Sequence, residues 1–458
     1  MKRKITLLLM VVVAALSITA KQRVVFLGSY ALGYDDAKTV KIPATSFSNL
    51  QTGDVVTMVV ESDAWCKFII GGDYSITKEA NSTDKKFQFE VTDDYKSKLQ
   101  ANGLYVQGNP TLLRVQYGSE ATPAVLYTNE DGYQIEAGWT NTFDAFNDYD
   151  FSNAAVGDVL TFTVECTATE NEWHPLVIRS TDDYNVYYQY NTYNQTTLTV
   201  TVDADLLAVL KGNCQITGDQ FKLKGISYTH EDYTYVLNAA YNGIDLSAIT
   251  GTADVELIRK YDWNTTICLP FDVDNVSTAF GNSAKAYEFK EYNGGLVFTE
   301  REHLEAGKPY FMTFDMTGID EADKTMTKTF EDVTINTTLN NSATSGGLTF
   351  KGNYTPGIDM EGNYGVACVE ESTNNWVWGF YKGGTDSKLN AFSAYFEGSI
   401  PSSDARLAII FDNETTGINS PISHETTADT VYYNLAGQRM ANVGKGLYIV
   451  NGKKIIIK

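Results

Sequence analysis

The chain has 458 residues, with 57 Asp and Glu against 35 Lys and Arg, a formal net charge of −22. So acidic a chain repels phosphate backbones, which disfavours nucleic-acid binding, and it disfavours anionic polysaccharides unless calcium bridges them. Aromatic residues make up 12% of the sequence, with 29 Tyr and only 9 Pro, a composition that excludes a disordered chain and describes a strand-rich one.

Residues 1–20 read as a signal peptide. Lys2, Arg3 and Lys4 form a positive n-region, and the apolar run that follows is too short to span a bilayer comfortably. Small residues around Ser17 and Ala20 offer cleavage points, and no later stretch approaches the ~18 consecutive apolar residues of a membrane span. The rest divides into a β-sandwich over 21–120, a second over 121–235, a third all-β domain over 236–418, a linker over 419–430 and a β tail over 431–458.

The two sandwiches look like copies of each other. Gly53-Asp54-Val55-Val56-Thr57-Met58-Val59-Val60 in the first corresponds to Gly157-Asp158-Val159-Leu160-Thr161-Phe162-Thr163-Val164 in the second, each followed by a Trp (Trp65, Trp173). An alternating strand comes next in each, then a short Asp-led helical turn (92–99 and 203–210), then a strand closing on glycine, Leu104-Tyr105-Val106-Gln107-Gly108 and Cys214-Gln215-Ile216-Thr217-Gly218. Period-two alternation with Gly, Asn and Asp punctuation predicts tandem antiparallel β-sandwiches of the jelly-roll kind.

The third block continues all-β, with Asn293-Gly294 between alternating strands marking a hairpin. The tail reads as two short hairpins: Gly437 breaks the first strand pair, and Asn451-Gly452 separates Leu447-Tyr448-Ile449-Val450 from Ile455-Ile456-Ile457. Five cysteines without close pairs (Cys66, Cys166, Cys214, Cys268, Cys368) make neither a disulfide framework nor a zinc motif. Buried free thiols are expected, with a Cys166–Cys214 bridge as the alternative.

Three resemblances attach to these motifs. Asn434-Leu435-Ala436-Gly437-Gln438-Arg439, Lys445-Gly446-Leu447-Tyr448-Ile449-Val450 and the Lys-rich end resemble the C-terminal sorting module of Bacteroidetes-type secreted proteins, read by the Por (type IX) secretion machinery. Asn434, Gly437, Gly446, Tyr448, Asn451 and Gly452 are the marks of that tail. From about Arg23 to Tyr228 the chain is similar to jelly-roll modules appended to secreted glycan-degrading enzymes, with Ala137-Gly138-Trp139 ahead of Phe143 and Phe146 the better match. Trp263-Asn264-Thr265-Thr266-Ile267-Cys268-Leu269-Pro270-Phe271, Ala306-Gly307-Lys308-Pro309-Tyr310-Phe311, Ala391-Phe392-Ser393-Ala394-Tyr395-Phe396 and Ala405-Arg406-Leu407-Ala408-Ile409-Ile410-Phe411 resemble a module placed before such tails. Together these imply export to the outside or the outer-membrane surface of a Gram-negative cell, with the periplasm as the alternative.

Candidate carbohydrate platforms are aromatic, because an aromatic face suits the axial C–H bonds of a sugar ring and a tyrosine keeps a hydroxyl for hydrogen bonding. In Tyr184-Asn185-Val186-Tyr187-Tyr188-Gln189-Tyr190, alternation places Tyr184, Tyr188 and Tyr190 on one face and Tyr187 on the other. Trp139, Trp173, Trp376 and Trp378 complete the set; each also has the plain reading of a core or strand-favouring residue. Asp148 and Asp150, or Asp182 and Asp183, supply oxygens suited to a structural calcium, which the resembled jelly rolls often hold; no other cofactor is implied. Glu300, Glu302 and Glu305 near His303, and Glu370-Glu371, are acidic clusters in no recognisable hydrolase context, and the chain contains no GxSxG, HExxH or phosphate-cradling loop. The expectation is a secreted or surface-displayed, non-catalytic protein that binds carbohydrate. A structural or adhesive protein with a cell-surface protein partner is the alternative, and a hydrolase the least favoured reading.

Overall fold

Strict alternation builds the first sandwich. In Lys86–Glu90, Phe87 and Phe89 are buried while Lys86, Gln88 and Glu90 face water, the signature of a sheet with one wet face. The computed structural model describes residues 21–412 except 62–64, 81–85, 153, 155–157, 168–173, 250, 374 and 401–405, together with the tail strands Tyr432–Tyr433, Arg439–Met440, Gly446–Val450 and Lys453–Ile457. The expected signal peptide and linker lie outside the described residues.

Eight strands make the first unit: β1 (Gln22–Ala31), β2 (Val40–Ile42), β3 (Val55–Val60), β4 (Cys66–Ile70), β5 (Thr77–Ala80), β6 (Lys86–Glu90), β7 (Leu104–Gly108) and β8 (Thr111–Gly118). They pair in the orders β1-β8-β3-β6 and β2-β7-β4-β5, the jelly-roll arrangement. The second unit has β9 (Ala124–Ile135), β10 (Val159–Cys166), β11 (Pro175–Ser180), β12 (Tyr187–Asn191), β13 (Thr197–Thr201), β14 (Cys214–Gly218) and β15 (Phe221–Thr229). Its orders, β9-β15-β10-β13 and β12-β11-β14, reproduce the same pairings, with Phe143 bridged to Ile216 where β2 lies beside β7 in the first. The expected helical turns are present as Asp93–Asn102 and Ala204–Lys211. The Thr92 hydroxyl and Asp203 carboxylate accept from the Tyr95 and Leu206 N–H groups at 3.3 and 2.8 Å, so the first turn of each helix is capped.

The sequence places a domain boundary at 235/236, and the structure runs a strand through it. β16 (Tyr233–Asn238) pairs in parallel with β1, Gln22 opposite Tyr233 and Val24 opposite Tyr235, and in parallel with β17 (Thr252–Lys260) on its other side. The first unit's sheet therefore continues through β1, β16 and β17 to strand Thr325–Thr334, seven strands in all. It is apolar on both faces. Val25, Phe26, Val236 and Ile258 enter the first sandwich's core, whereas Val24, Leu237, Val255 and Leu257 enter a second core with Ile267, Tyr310 and Met312. Strand Pro309–Thr313 is two-faced in turn, since Phe311 points into a third core with Phe298, Phe350, Phe380 and Phe396. The first and third units thus form one stack of four sheets around three cores. The second sandwich, with its own core around Phe146, Phe162 and Ile178, is inserted between β8 and β16.

Two buried polar side chains of the shared sheet, Glu256 and Asn238, are matched. Glu256 meets Arg23 at 2.9 Å and the Asn49 amide at 3.0 Å, and Asn238 donates to Thr45 and Ser46. All five cysteines are free, including Cys166 and Cys214. Burial pushes the Cys66 and Cys214 thiols up to about 11 and Cys268 up to about 12, as expected of inert core thiols. In the tail, Val450 stands opposite Lys453, which is the predicted second hairpin, and Tyr432–Tyr433 pairs with both Arg439–Met440 and Gly446–Val450. No helix among the described residues is long and apolar enough to cross a membrane.

Two predictions follow from the inserted sandwich. Gly218 closes β14 at φ 144°, where an added Cβ would lie 1.9 Å from the Pro175 carbonyl oxygen. Gly218→Ala should destabilise the unit by roughly 2 kcal/mol or more, read as a lowered melting transition in calorimetry. On the return connection, His230 places Nδ1 2.9 Å from Asp158 and Nε2 2.7 Å from Asp232, and the hydrogen bond to Asp158 holds its pKa above the ordinary value. A raised folded-state pKa gives stability that is fully present below the unfolded pKa and lost as pH rises through the folded one. Chemical denaturation should therefore show the wild type losing stability as pH rises above about 6.5, the ordinary histidine value, a component that His230→Gln removes.

Candidate functional site

β12 does not begin where the alternation suggests. Residues 181–186 form a turn in which the Ser180 N–H bonds the Val186 carbonyl and the Val186 N–H bonds the Asp183 carbonyl, and the strand starts only at Tyr187. Tyr184 therefore belongs to the turn and is out of phase with the strand. Tyr188 and Tyr190 pack against the second sandwich's core, and burial raises both pKa values, Tyr190 to about 12. Tyr187, assigned by the sequence to the other face, is the outward residue, 45% exposed. The expected Tyr184/Tyr188/Tyr190 platform is corrected accordingly.

The outward face carries a cross-strand row. Tyr187 of β12 and Gln215 of β14 both stand opposite Arg179 of β11. The Arg179 guanidinium lies 4.6 Å from the Tyr184 ring centroid, a cation–π contact, and Tyr184 is 59% exposed. Gln215 is buried between Arg179 and Asp144; with its amide assigned the orientation that satisfies both, the oxygen accepts from Arg179 Nε at 3.1 Å and from Nη2, and the nitrogen donates to Asp144 Oδ1 at 3.2 Å. Asp144 also accepts from the Thr142 hydroxyl at 2.6 Å.

Trp139 joins this row from the segment after β9. Its ring meets Tyr187 edge to face, centroids 6.0 Å apart at 89°, and it is half-buried. Gly138 and Trp139 both have positive φ, 72° and 61°, an uncommon state for a bulky residue. The segment is held there by side-chain bonds: Gly138 N–H to Asp219, Glu136 N–H to Asn141, and Asn141 Nδ2 to the Gln134 carbonyl. Strained backbone held by such ties is characteristic of ligand-contacting positions.

The other expected residues are dispersed. Trp376 is 62% exposed at the far end of strand Asn375–Lys382. Trp378 is half-buried and lines a groove of about 650 Å³ with Trp263, Asp262, Lys324 and Arg259, on the stack rather than on the inserted sandwich. Trp173 lies outside the described residues, as do Asn434, Gly437, Asn451 and Gly452, while Gly446 and Tyr448 lie in strand Gly446–Val450. Asp148 ends a short 3-10 turn, Asp150 accepts from the Ser152 N–H, Asp183 from the Asn185 N–H, and Asp182 from Asn213. Among the described residues no group of three or more His, Cys, Asp or Glu is placed to hold a metal ion. Within the acidic clusters, Glu300 pairs with Lys285, Glu305 with Lys308 and Glu371 with Arg406.

Sequence reasoning missed Tyr187, Arg179, Gln215 and Asp144 as site residues. The signal was present: Arg179 alternates with the apolar Ile178, and Gln215 lies between the apolar Cys214 and Ile216, positions that face away from a core.

No protein-family model matches the chain, and no curated protein does. Among solved structures, SGBP-B of the Bacteroides ovatus mixed-linkage glucan utilization locus, in complex with a mixed-linkage heptasaccharide, is similar over 21% of this chain, with 16% identity and a TM-score of 0.19. The match spans 28% of that chain, too slight a likeness to carry an argument.

The two tyrosine faces predict opposite responses. Tyr190→Ala should destabilise the inserted sandwich by roughly 2 kcal/mol, whereas Tyr187→Ala should stay within about 0.5 kcal/mol of wild type, both read by denaturant unfolding.

Proposed function

We propose that this chain is a secreted or surface-displayed, non-catalytic protein of a Bacteroidetes-type bacterium that binds carbohydrate through the outer face of its inserted jelly roll. The observation that carries the reading is the row of Trp139, Tyr187 and Tyr184 around Arg179, Gln215 and Asp144. Exposed rings supply stacking surfaces for pyranose C–H faces, and the planar guanidinium and the Asp144 carboxylate, held together by the buried Gln215, supply directional bonds to hydroxyls. The face is shallow, which suits an extended polymer better than a small metabolite held in a closed pocket. Of the carboxylates that could have suggested hydrolysis, Glu300, Glu305 and Glu371 are engaged in ion pairs with Lys or Arg, which supports a binding role. Export rests on the N-terminal charged-apolar segment and on the tail's resemblance to a type IX sorting module, whose secretion machinery would be a second partner. A structural calcium near Asp148 and Asp150 would stabilise the fold rather than take part in binding.

The test is affinity electrophoresis of the full chain in gels containing dissolved β-glucan, xylan, galactomannan or pectin. At least one polymer should retard the wild type, and Tyr187→Ala should weaken that retardation about tenfold while leaving the fold intact. Retardation by no polymer, with capture of a cell-surface protein instead, would favour the adhesive reading.

A further inference from the structure

Among the described residues six aromatic side chains stand largely exposed: Tyr34, Tyr74, Tyr184, Tyr187, Trp263 and Trp376. Two of them, Tyr184 and Tyr187, belong to the inserted sandwich's outer face. Two others, Tyr34 and Tyr74, gather on the outer face of the corresponding sheet in the first sandwich, a place where the sequence offered no tryptophan motif like Ala137-Gly138-Trp139.

Alternation builds this second cluster. Cys66 and Phe68 of β4 and Leu104 and Val106 of β7 enter the core, so Lys67, Tyr105 and Gln107 point outward. Trp65, one residue before β4, shares the outward side with Lys67. Tyr34, from the loop after β1, stacks on Trp65 with centroids 5.3 Å apart and planes 21° from parallel. Lys67 Nζ lies 5.5 Å from the Trp65 centroid and 5.8 Å from that of Tyr74. Tyr34 and Tyr74 are 55% and 53% exposed. Beneath them Gln107, itself buried, donates through Nε2 to the Thr39 hydroxyl at 2.8 Å and to the Tyr34 carbonyl at 3.3 Å, and meets the Tyr74 hydroxyl at 3.4 Å. One buried amide thus ties both ring-bearing loops to the sheet.

The two copies share pairing topology but not these side chains. In the first sandwich the rings come from the loop after β1, the residue before β4 and the turn after β4. In the second, Trp139 comes from the equivalent connection after β9 and Tyr184 from the equivalent turn between β11 and β12, while Tyr187 belongs to β12 itself. Inheritance of the fold brings the same two connections to each sheet but does not dictate aromatic residues in them, and each sheet carries three aromatic rings around one cation near a buried glutamine. A common ligand chemistry accounts for that coincidence; packing does not, because large exposed rings gain little by standing in water.

We infer that the first sandwich carries a second platform for a pyranose polymer, with Tyr34, Trp65 and Tyr74 as stacking surfaces and Lys67 donating to hydroxyl or carboxylate oxygens between them. The inference extends the glycan reading of the inserted sandwich to a separate set of residues. Two such platforms on one chain raise the effective concentration of the second contact once the first has formed.

The experiment compares wild type, Trp65→Ala, Tyr74→Ala and Tyr187→Ala in the full chain, by affinity electrophoresis in the same four polysaccharides and with thermal unfolding as a fold check. Tyr74 is exposed, so its variant tests the platform without touching the core. Trp65→Ala and Tyr74→Ala should each weaken retardation at least about fivefold in a polymer that retards the wild type, with unchanged unfolding for Tyr74→Ala. Combining Tyr74→Ala with Tyr187→Ala should abolish retardation. If Tyr187→Ala alone abolishes it and Tyr74→Ala changes nothing in any polymer, the second platform is refuted while the inserted-sandwich reading stands. If Tyr74→Ala weakens it and Tyr187→Ala does not, the second platform stands and the first reading fails. Retardation by none of the four polymers overturns both.

Discussion

The pairing of three residues at the chain's start with three more than two hundred positions later organises this molecule. Gln22, Arg23 and Val24 run parallel to Tyr233, Thr234 and Tyr235, so β1 lies between an antiparallel neighbour from its own sandwich and a parallel neighbour from the third block. A strand in that position is buried on both faces, which is why it reads Val24-Val25-Phe26 without clean alternation. The ion pairs Arg23 to Glu256 and Lys21 to Asp254 tie the start of β1 to β17 across the intervening β16. Because the first sandwich and the third block share this sheet, removing either would expose an apolar sheet face of the other.

That constraint explains the standing of the inserted sandwich. Its two ends meet the stack at β8 and β16, the strands that flank β1 on either side. Its core is made from its own side chains, and His230, between Asp158 and Asp232, sits where the chain returns to the stack. Insertion between two strands that flank β1 lets a complete jelly roll project without disturbing the long sheet, leaving its outer face open to large ligands.

The outer faces show how a sandwich separates stability from recognition. Leu176 and Ile178 of β11 and Cys214 and Ile216 of β14 enter the core, whereas Arg179 and Gln215 stand side by side in the outward polar row. Charge follows the same local logic. The chain is strongly acidic as a whole, yet the cations at these faces, Arg179 and Lys67, stand against aromatic rings, so net charge describes solubility and long-range repulsion rather than the chemistry of a face.

The all-β class, the duplicated jelly-roll units, the capped turns after Thr92 and Asp203 and the second tail hairpin were legible because each depends on contacts close in sequence, or on period-two alternation that one buried face imposes. Placement of the platform residues was only half legible. Trp139 was marked by its glycine-bearing segment, and alternation rightly separated Tyr187 from Tyr188 and Tyr190, but alternation does not say which face meets the core, and the turn ending at Val186 takes Tyr184 out of the strand's phase. The boundary at 235/236 failed for another reason: parallel pairing between distant strands leaves no local turn signal, and a strand buried on both faces looks like any apolar run. Sequence alone therefore determined what kinds of strand this chain makes, through local sterics and solvent preference. Only the tertiary structure decided which strands meet, which tyrosines face water, and that two loops and a buried glutamine assemble a ring cluster on each sandwich, because those outcomes depend on long-range packing.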